Sequence, residues 1–193
     1  CGVGDLTGCK LDNASFFGAD MQDAILVEAS LRRADLRGAC LRGADLSGAD
    51  LFEADLREGT IASADRKVGF RVIEPKNREI THAEGASLVG ANLQRSRLSG
   101  IAAQSADFSD AIMKDCKLVR ANLKQASFRG ADLAGADLSG ADLSGADLRD
   151  AILVGVKVAM WRTDGANMAG ALTDERSSGS PVGKMPAAEM LAE

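Results

Sequence analysis

The sequence contains no tyrosine, a single tryptophan and a single histidine, and aromatic residues make up only 4% of its 193 positions. Hydrophobic residues nevertheless account for 46% of the chain. A core of leucine and alanine in a narrow tube needs few large rings, so the composition favours that kind of interior. The length fits one domain.

Long apolar runs are also missing. No stretch approaches the roughly 18 apolar residues of a membrane span, and none has the charged and apolar regions of a signal peptide. We therefore expect a cytoplasmic protein that is not bound to a membrane. Cys1 without a preceding methionine also fits a cleaved lipoprotein, but we favour a trimmed chain because the repeat starts at Gly4-Asp5-Leu6.

Residues for catalysis or metal binding are scarce. The four cysteines include no C-x-x-C pair, and their spacing matches no zinc pattern. Cys9 and Cys116 occupy positions held elsewhere by alanine, and Cys40 replaces an outward aspartate. The glycine-rich stretches contain no phosphate-binding loop. We expect no enzyme activity, no metal and no cofactor.

The chain does contain a repeat of five residues. Residues 126–152 read ASFRG ADLAG ADLSG ADLSG ADLRD AI, with alanine recurring every fifth position and leucine or phenylalanine two places later. In an α-helix, steps of five would rotate successive leucines by roughly 140° around the axis. In a flat strand, an odd step would send every second leucine to the other face. A short extended piece followed by a turn, repeated as a solenoid, satisfies both constraints.

The tandem A(D/N)LxG units resemble the pentapeptide-repeat family. That resemblance implies an all-β fold, a right-handed quadrilateral β-helix with four units per coil, and the number of units gives about seven coils. Phe108 and Phe128 are both centre residues and lie twenty apart, so they should stack in adjacent coils. The aspartates at 132, 137, 142 and 147 would then point out of four different sides. We expect them to form turn hydrogen bonds rather than a calcium site.

The repeat predicts a β-helix over residues 1–173, interrupted by an insertion at 66–84. Val68, Phe70, Val72 and Ile80 alternate around Pro75-Lys76-Asn77, which favours a β-hairpin; an ordered loop and a disordered insertion are the alternatives. Trp161 is too large for its inward position and is predicted to cap the open end of the stack. Residues 174–193 are interpreted as a linker and the start of a C-terminal helix in a longer natural protein.

For function, the sequence favours a structural or protein-interaction module with one recognition loop. Charge is uneven along the chain: residues 1–65 are net acidic, whereas 85–165 and the insertion are slightly basic. We expect a protein partner, no direct binding to nucleic acid, and a dimer, if one forms, through the C-terminal end. The candidate interaction loop comprises Arg66, Lys67, Phe70, Arg71, Lys76, Arg78 and His82.

The alternative is a DNA mimic. The resemblance includes the quinolone-resistance proteins, which are dimers similar to duplex DNA in size and charge and bind gyrase. A DNA mimic should present continuous rows of negative charge. The basic residues in the second half of this chain depart from that pattern, so gyrase binding is the second interpretation.

Overall fold

The chain folds as an all-β solenoid built from parallel β-bridges. The computed structural model describes residues 5–57 and 80–174, together with the backbone of residues 62–65 and 69–72. Bridged residues lie twenty positions apart, as in Asp5–Ile25 and Asp137–Lys157. This spacing and the repeat of five place four units in each coil. The solenoid predicted from the sequence is therefore the observed fold.

Each unit has the same local structure. In one unit, the Leu138 N–H donates to the carbonyl of Lys157 in the next coil at 2.8 Å. The Ala141 N–H donates back to the Leu138 carbonyl at 2.9 Å, which closes a turn. Gly140, inside that turn, has φ of 70°. This left-handed conformation explains why glycine recurs at the end of the units.

The outward aspartates stabilise these turns. Oδ1 of Asp132 accepts the N–H two residues later, and the same bond recurs at Asp137, Asp142 and Asp147. These four residues belong to four different series of bridges, so they point away from one another. The prediction of turn hydrogen bonds is confirmed.

The core is a column of aliphatic side chains along the tube. Alanine and leucine fill most of its inward positions, and most of them are completely buried. Phe108 and Phe128 occupy centre positions in adjacent coils, with ring centroids 5.0 Å apart and planes 5° from parallel. The predicted stacking of these two rings is confirmed.

Consecutive units form four faces in turn. Each face contains one series of bridging residues and the two outward turn residues that follow each of them. The bridging residues run from Asp5 to Asn167 on face 1, Lys10 to Leu172 on face 2, Ser15 to Lys157 on face 3 and Asp20 to Arg162 on face 4. Because the units follow one another around the coil, faces 1 and 3 lie on opposite sides of the rod.

One coil contains an insertion that leaves the faces aligned. Cys40 pairs with His82 and Asp55 pairs with Arg97, so this coil is more than twice as long in sequence as the others. Within the insertion, β1 (Ala62–Asp65) pairs antiparallel with β2 (Gly69–Val72). The two strands flank residues 66–68, whereas the predicted turn at Pro75-Lys76-Asn77 lies outside the described residues. The short connection brings the strands together at a low cost in loop entropy.

The C-terminal boundary predicted for the insertion also needs correction. The coil resumes before residue 84, because His82 bridges both Cys40 and Ala102. Ala83 therefore fills the next centre position after Leu56; a step of five residues would have given that position to Ile61, which lies outside the described residues. Thr81 and Ala83 match the A-x-L pattern poorly, since a threonine replaces the small residue and an alanine replaces the leucine. This weak match hid the resumed repeat.

The last described coil ends near Leu172, which bridges Ile152. Trp161 is partly buried and packs against the apolar core in this coil. The linker and helix predicted for 174–193 lie outside the described residues except for Asp174, and Cys1 lies outside them as well. Over the residues that are described, there is no helix of the length and apolarity required to span a bilayer.

Candidate functional site

An open groove runs along the edge between faces 2 and 3 and crosses three coils. Its volume is about 580 Å³. We call it the arginine groove, because four arginines and three carboxylates line it. The lining residues are Arg33, Ala34, Asp35 and Arg37 from one coil, Glu53 and Asp55 from the next, and Arg95 and Arg97 from the third.

Glu53 lies at the centre of one wall of the arginine groove, between two arginines. Its Oε2 accepts a hydrogen bond from Arg33 Nε at 2.9 Å, and its Oε1 lies 3.3 Å from Arg95 Nη1. The hydrogen bond from Arg33 lowers the pKa of Glu53. All three residues have positive φ, at turn positions where glycine is common. The chain therefore accepts three strained residues in adjacent coils at this edge.

The other wall contains bidentate arginine–aspartate ion pairs, in which one guanidinium binds both carboxylate oxygens. Arg37 donates to both oxygens of Asp35, at 2.8 and 2.7 Å, and this bonding lowers the pKa of Asp35. Arg57 binds Asp55 in the same way, at 2.9 and 2.6 Å. Partial burial acts to raise the pKa of Asp55, but the bonds from Arg57 outweigh it and the pKa is lowered. Both carboxylates therefore stay ionised and bound to their arginines.

Two arginines remain more available at the groove. Arg97 Nη1 lies 3.8 Å from Asp55 Oδ2, beyond hydrogen-bond distance, and the Arg97 side chain is 59% exposed. The Arg95 side chain is also 59% exposed. Guanidinium groups of this kind can bind an incoming carboxylate through two parallel hydrogen bonds.

A half-buried ring adjoins the groove. Arg32 stacks over Phe52 with its Cζ 4.6 Å from the ring centroid, and Arg95 lies over the same ring at 5.9 Å. On face 3, Arg37 similarly covers Phe17 at 5.4 Å. Both phenylalanines lie outside the tube, each covered by an arginine. Arg–Phe contacts add apolar area to a charged surface.

Thr81 closes the coil where the insertion returns. Its side chain is completely buried, and its Oγ1 accepts the Gly38 N–H at 2.9 Å. The hydroxyl lies 2.9 Å from the Arg57 carbonyl and 3.3 Å from that of Leu36, so its proton can go to either. Thr81 therefore joins both ends of the insertion to the coil before it.

Replacing Thr81 by valine is expected to lower the free energy of unfolding by about 1–3 kcal/mol. Valine keeps the shape but removes two side-chain hydrogen bonds, so that the Gly38 N–H and the Arg57 carbonyl keep only the longer bond between them, at 3.2 Å. Urea denaturation measures the change. Ser96→Ala is the matched control, since its hydroxyl donates only to the Leu93 carbonyl, which already accepts the Ser96 N–H. The control should lose less than about 1 kcal/mol. Equal losses in both variants would contradict a closing role for Thr81.

His82 lies on the wall of face 4, not in a loop as the sequence predicted. Its Nδ1 is 2.8 Å from Glu84 Oε1 and 3.2 Å from Arg42 Nη2. Nδ1 therefore serves either as a donor to Glu84 or as an acceptor from Arg42. Burial acts to raise the pKa of Glu84, but the bond with His82 contributes to a net lowering. The imidazole ring of His82 is therefore held by Glu84 and Arg42, two side chains of the same face.

The remaining predicted site residues are only partly described. Phe70 and Arg71 lie on β2, of which the backbone is described. Arg66, Lys67, Lys76 and Arg78 lie outside the described residues. Their role in recognition, with that of His82, stays a prediction.

The arginine groove was missed at the sequence level. Arg33 and Glu53 are separated by one regular coil, but Glu53 and Arg95 are separated by the coil that contains the insertion. Only the exact length of the insertion shows that all three stack. The repeat alone is enough to place Asp35 beside Asp55 in adjacent coils, each with its own arginine two residues later. Charged residues at the usual glycine position were the available signal.

Other reactive groups are buried or isolated. Burial raises the pKa of the Cys116 thiol to about 12, so this group remains protonated at neutral pH. Within residues 5–57 and 80–174, no group of three or more histidine, cysteine, aspartate or glutamate side chains has a geometry that could hold a metal ion.

A family model for pentapeptide repeats matches residues 4–33, 29–64, 86–125 and 116–155, in eight copies. The chain belongs to the pentapeptide repeat family. The matches leave residues 65–85 uncovered, which include β2 and the closing residue Thr81. In this pentapeptide repeat protein, the interruption between the matched repeats therefore falls on the second half of the insertion and its junction with the coil.

Solved pentapeptide repeat structures are similar to this chain. HetL, involved in heterocyst differentiation regulation in the cyanobacterium Nostoc, is 33% identical over 91% of this chain and 67% of its own, with a TM-score of 0.48. A pentapeptide repeat protein from the Arabidopsis thaliana thylakoid lumen is 25% identical over 72% and 68%, with a TM-score of 0.41. QnrB1, a plasmid-mediated fluoroquinolone resistance protein, is 16% identical over 89% and 80%, with a TM-score of 0.38. No curated protein matches the chain.

Proposed function

We propose that this pentapeptide repeat protein is a non-enzymatic protein-interaction module of the cytoplasm. A right-handed rod of about seven coils holds flat faces in fixed positions, and the insertion is the recognition element. The partner is a protein that contacts the insertion and the adjoining arginine groove.

The insertion is the observation that carries this proposal. It more than doubles the length of one coil, yet the four bridges that span it keep all four faces in line. The core of the rod is continuous without it, because Thr81 and Ala83 take up the next coil positions. An irregular segment that a rigid scaffold carries but does not need is typical of recognition elements.

The surroundings of the insertion support a binding role. Arg57 is the last residue before the insertion whose side chain is described. It forms a bidentate ion pair with Asp55, which lines the arginine groove. Arginines and an aromatic ring, here Arg95 and Phe52, are the residue types enriched in protein interfaces. The absence of enzyme activity is part of the proposal.

The test removes the insertion without disturbing the coil. Deleting residues 58–79 joins Arg57 to Ile80 and restores the regular spacing between bridged residues. A deletion of 66–84 would instead remove Thr81 and His82 from the wall. Affinity capture from the source cell extract should recover a partner protein with the intact chain, and the 58–79 deletion should lose it while keeping its β-rich circular dichroism spectrum.

Two further variants make this result decisive. Phe70→Ser with Arg71→Glu changes β2 at full length and should also lose the partner, even if the deletion fails to fold. Lys10→Glu, on face 2 near the other end of the rod, should retain it. A partner captured equally by all variants would show that the insertion is not the recognition element.

A DNA-mimicking, gyrase-binding rod is the second candidate, because face 1 is acidic. It carries seven acidic residues against two basic ones, Arg129 and Arg149; the acidic ones are Asp5, Glu28, Asp45, Asp107, Asp110, Asp147 and Asp150. Bridging carboxylates on this face alternate with uncharged residues, so the negative row is interrupted. If this candidate is correct, micromolar protein should inhibit gyrase supercoiling in a salt-sensitive manner.

Dimerisation through the C-terminal end is also part of the proposal. The last described coil exposes Leu172 and Met160, which are 59% and 82% accessible. Apolar side chains of this size at one end of a rod are a surface that a second copy would cover.

A further inference from the structure

Face 3, opposite the acidic face 1, is basic. Among its described residues, six basic ones outnumber three acidic ones, Asp35, Asp55 and Asp137. The protein as a whole has a net charge of −5, so a positive face requires that charge be sorted between sides of the rod. The basic residues are Arg37, Arg57, Arg97, Lys117, Arg120 and Lys157.

Much of the positive charge on face 3 is uncompensated. Lys117, Arg120 and Lys157 are exposed, and none has an ion-pair partner within 4 Å among the residues that the structure describes. Lys117 and Lys157 flank Asp137 in the bridging series, so one carboxylate faces two ammonium groups. Like charges gathered on one side oppose folding, and a partner of opposite charge would relieve that repulsion.

The insertion adds to this charge. It departs from the coil after Arg57, which belongs to face 3. Residues 58–79 contain five basic residues and four acidic ones in the sequence. The insertion therefore leaves the rod from its basic side, and it brings further basic residues to an otherwise acidic protein.

We propose that face 3 is the docking surface for an acidic segment of a partner protein, an inference that rests on the interaction function proposed above. The carboxylates of Asp35, Asp55 and Asp137 interrupt the face, and a regular phosphate backbone would meet each of them. Face 3 also presents Val119, which an amphipathic protein segment would cover and a nucleic acid would not. The carboxylates of a protein segment need not be regularly spaced, so they can pair with the arginines and lysines and lie away from these three aspartates.

The direct test uses poly-L-glutamate as the probe, with binding measured by fluorescence anisotropy at low and physiological salt. Lys117→Glu with Lys157→Glu should weaken binding at least about tenfold, since two attractive contacts become repulsive. Lys10→Glu with Arg129→Glu makes the same change in net charge on faces 2 and 1 and should change affinity by less than about twofold. Equal losses in the two double variants would overturn the inference, as would tighter binding to a short DNA duplex than to poly-L-glutamate.

Capture of the partner separates this inference from the proposed function. If the Lys117→Glu, Lys157→Glu variant loses the captured protein and free poly-L-glutamate displaces it from the wild-type chain, face 3 is the docking surface. Retention of the partner by that variant would overturn the role of face 3 and leave the interaction function intact. If the wild-type chain captures no protein, the proposed function fails, and so does the role of face 3 in it.

Discussion

Replacement of Leu138 by aspartate is expected to abolish the cooperative folded state. Leu138 is a centre residue with 0% of its surface exposed, and it sits between coils that are themselves fully packed. A carboxylate at this position would lack any partner, and burying an unpaired charge costs several kcal/mol in addition to the lost apolar contacts. That total approaches the roughly 5–15 kcal/mol by which a typical domain is stable.

Circular dichroism and urea denaturation measure this effect, and Arg149→Ala is the control two units further along the chain. Arg149 forms a bidentate ion pair with Asp147, but its side chain is 43% exposed. The control should therefore change stability by less than about 1 kcal/mol. A Leu138→Asp protein with a wild-type urea midpoint would mean that this coil can open without unfolding the rod, contrary to a continuous core.

The repeat made most of the fold predictable because each unit is stabilised locally and by its immediate neighbours. Asp137, Leu138 and Gly140 each occupy a position whose role follows from the five-residue pattern: turn acceptor, core and positive φ. The number of residues per coil required the family resemblance. The spacing between Phe108 and Phe128 provided an independent check of it.

Prediction failed where the coil is closed by contacts between residues distant in the sequence rather than by the local repeat. Thr81 is buried through hydrogen bonds to residues 36, 38 and 57, and no local motif indicates such a bond. His82 was therefore predicted to be a loop residue, although its backbone belongs to the bridging series of face 4. The arginine groove was missed for a related reason, since the stacking of Arg95 on Glu53 depends on the length of the insertion rather than on its composition.

Truncation of the stacked phenylalanines is the other large effect that we expect. Phe108 and Phe128 are both completely buried, and the spacing of adjacent strands, about 4.8 Å, sets the 5.0 Å separation of their rings. Phe108→Ala and Phe128→Ala should each lower the free energy of unfolding by about 3–5 kcal/mol, because a narrow tube has few side chains that can relax into the cavity.

The double variant tests whether the rings interact beyond their separate burial. Its loss should be smaller than the sum of the two single losses by about 0.5–1.5 kcal/mol, the coupling typical of aromatic pairs. Phe128→Ala with Leu41→Ala provides the control pair, because several coils keep these side chains apart, and their losses should add within about 0.5 kcal/mol. Urea denaturation with phenylalanine-to-leucine variants as milder substitutes gives the same comparison if the alanine variants do not fold. Strict additivity for the phenylalanine pair would mean that each ring is stabilised by the surrounding leucines alone.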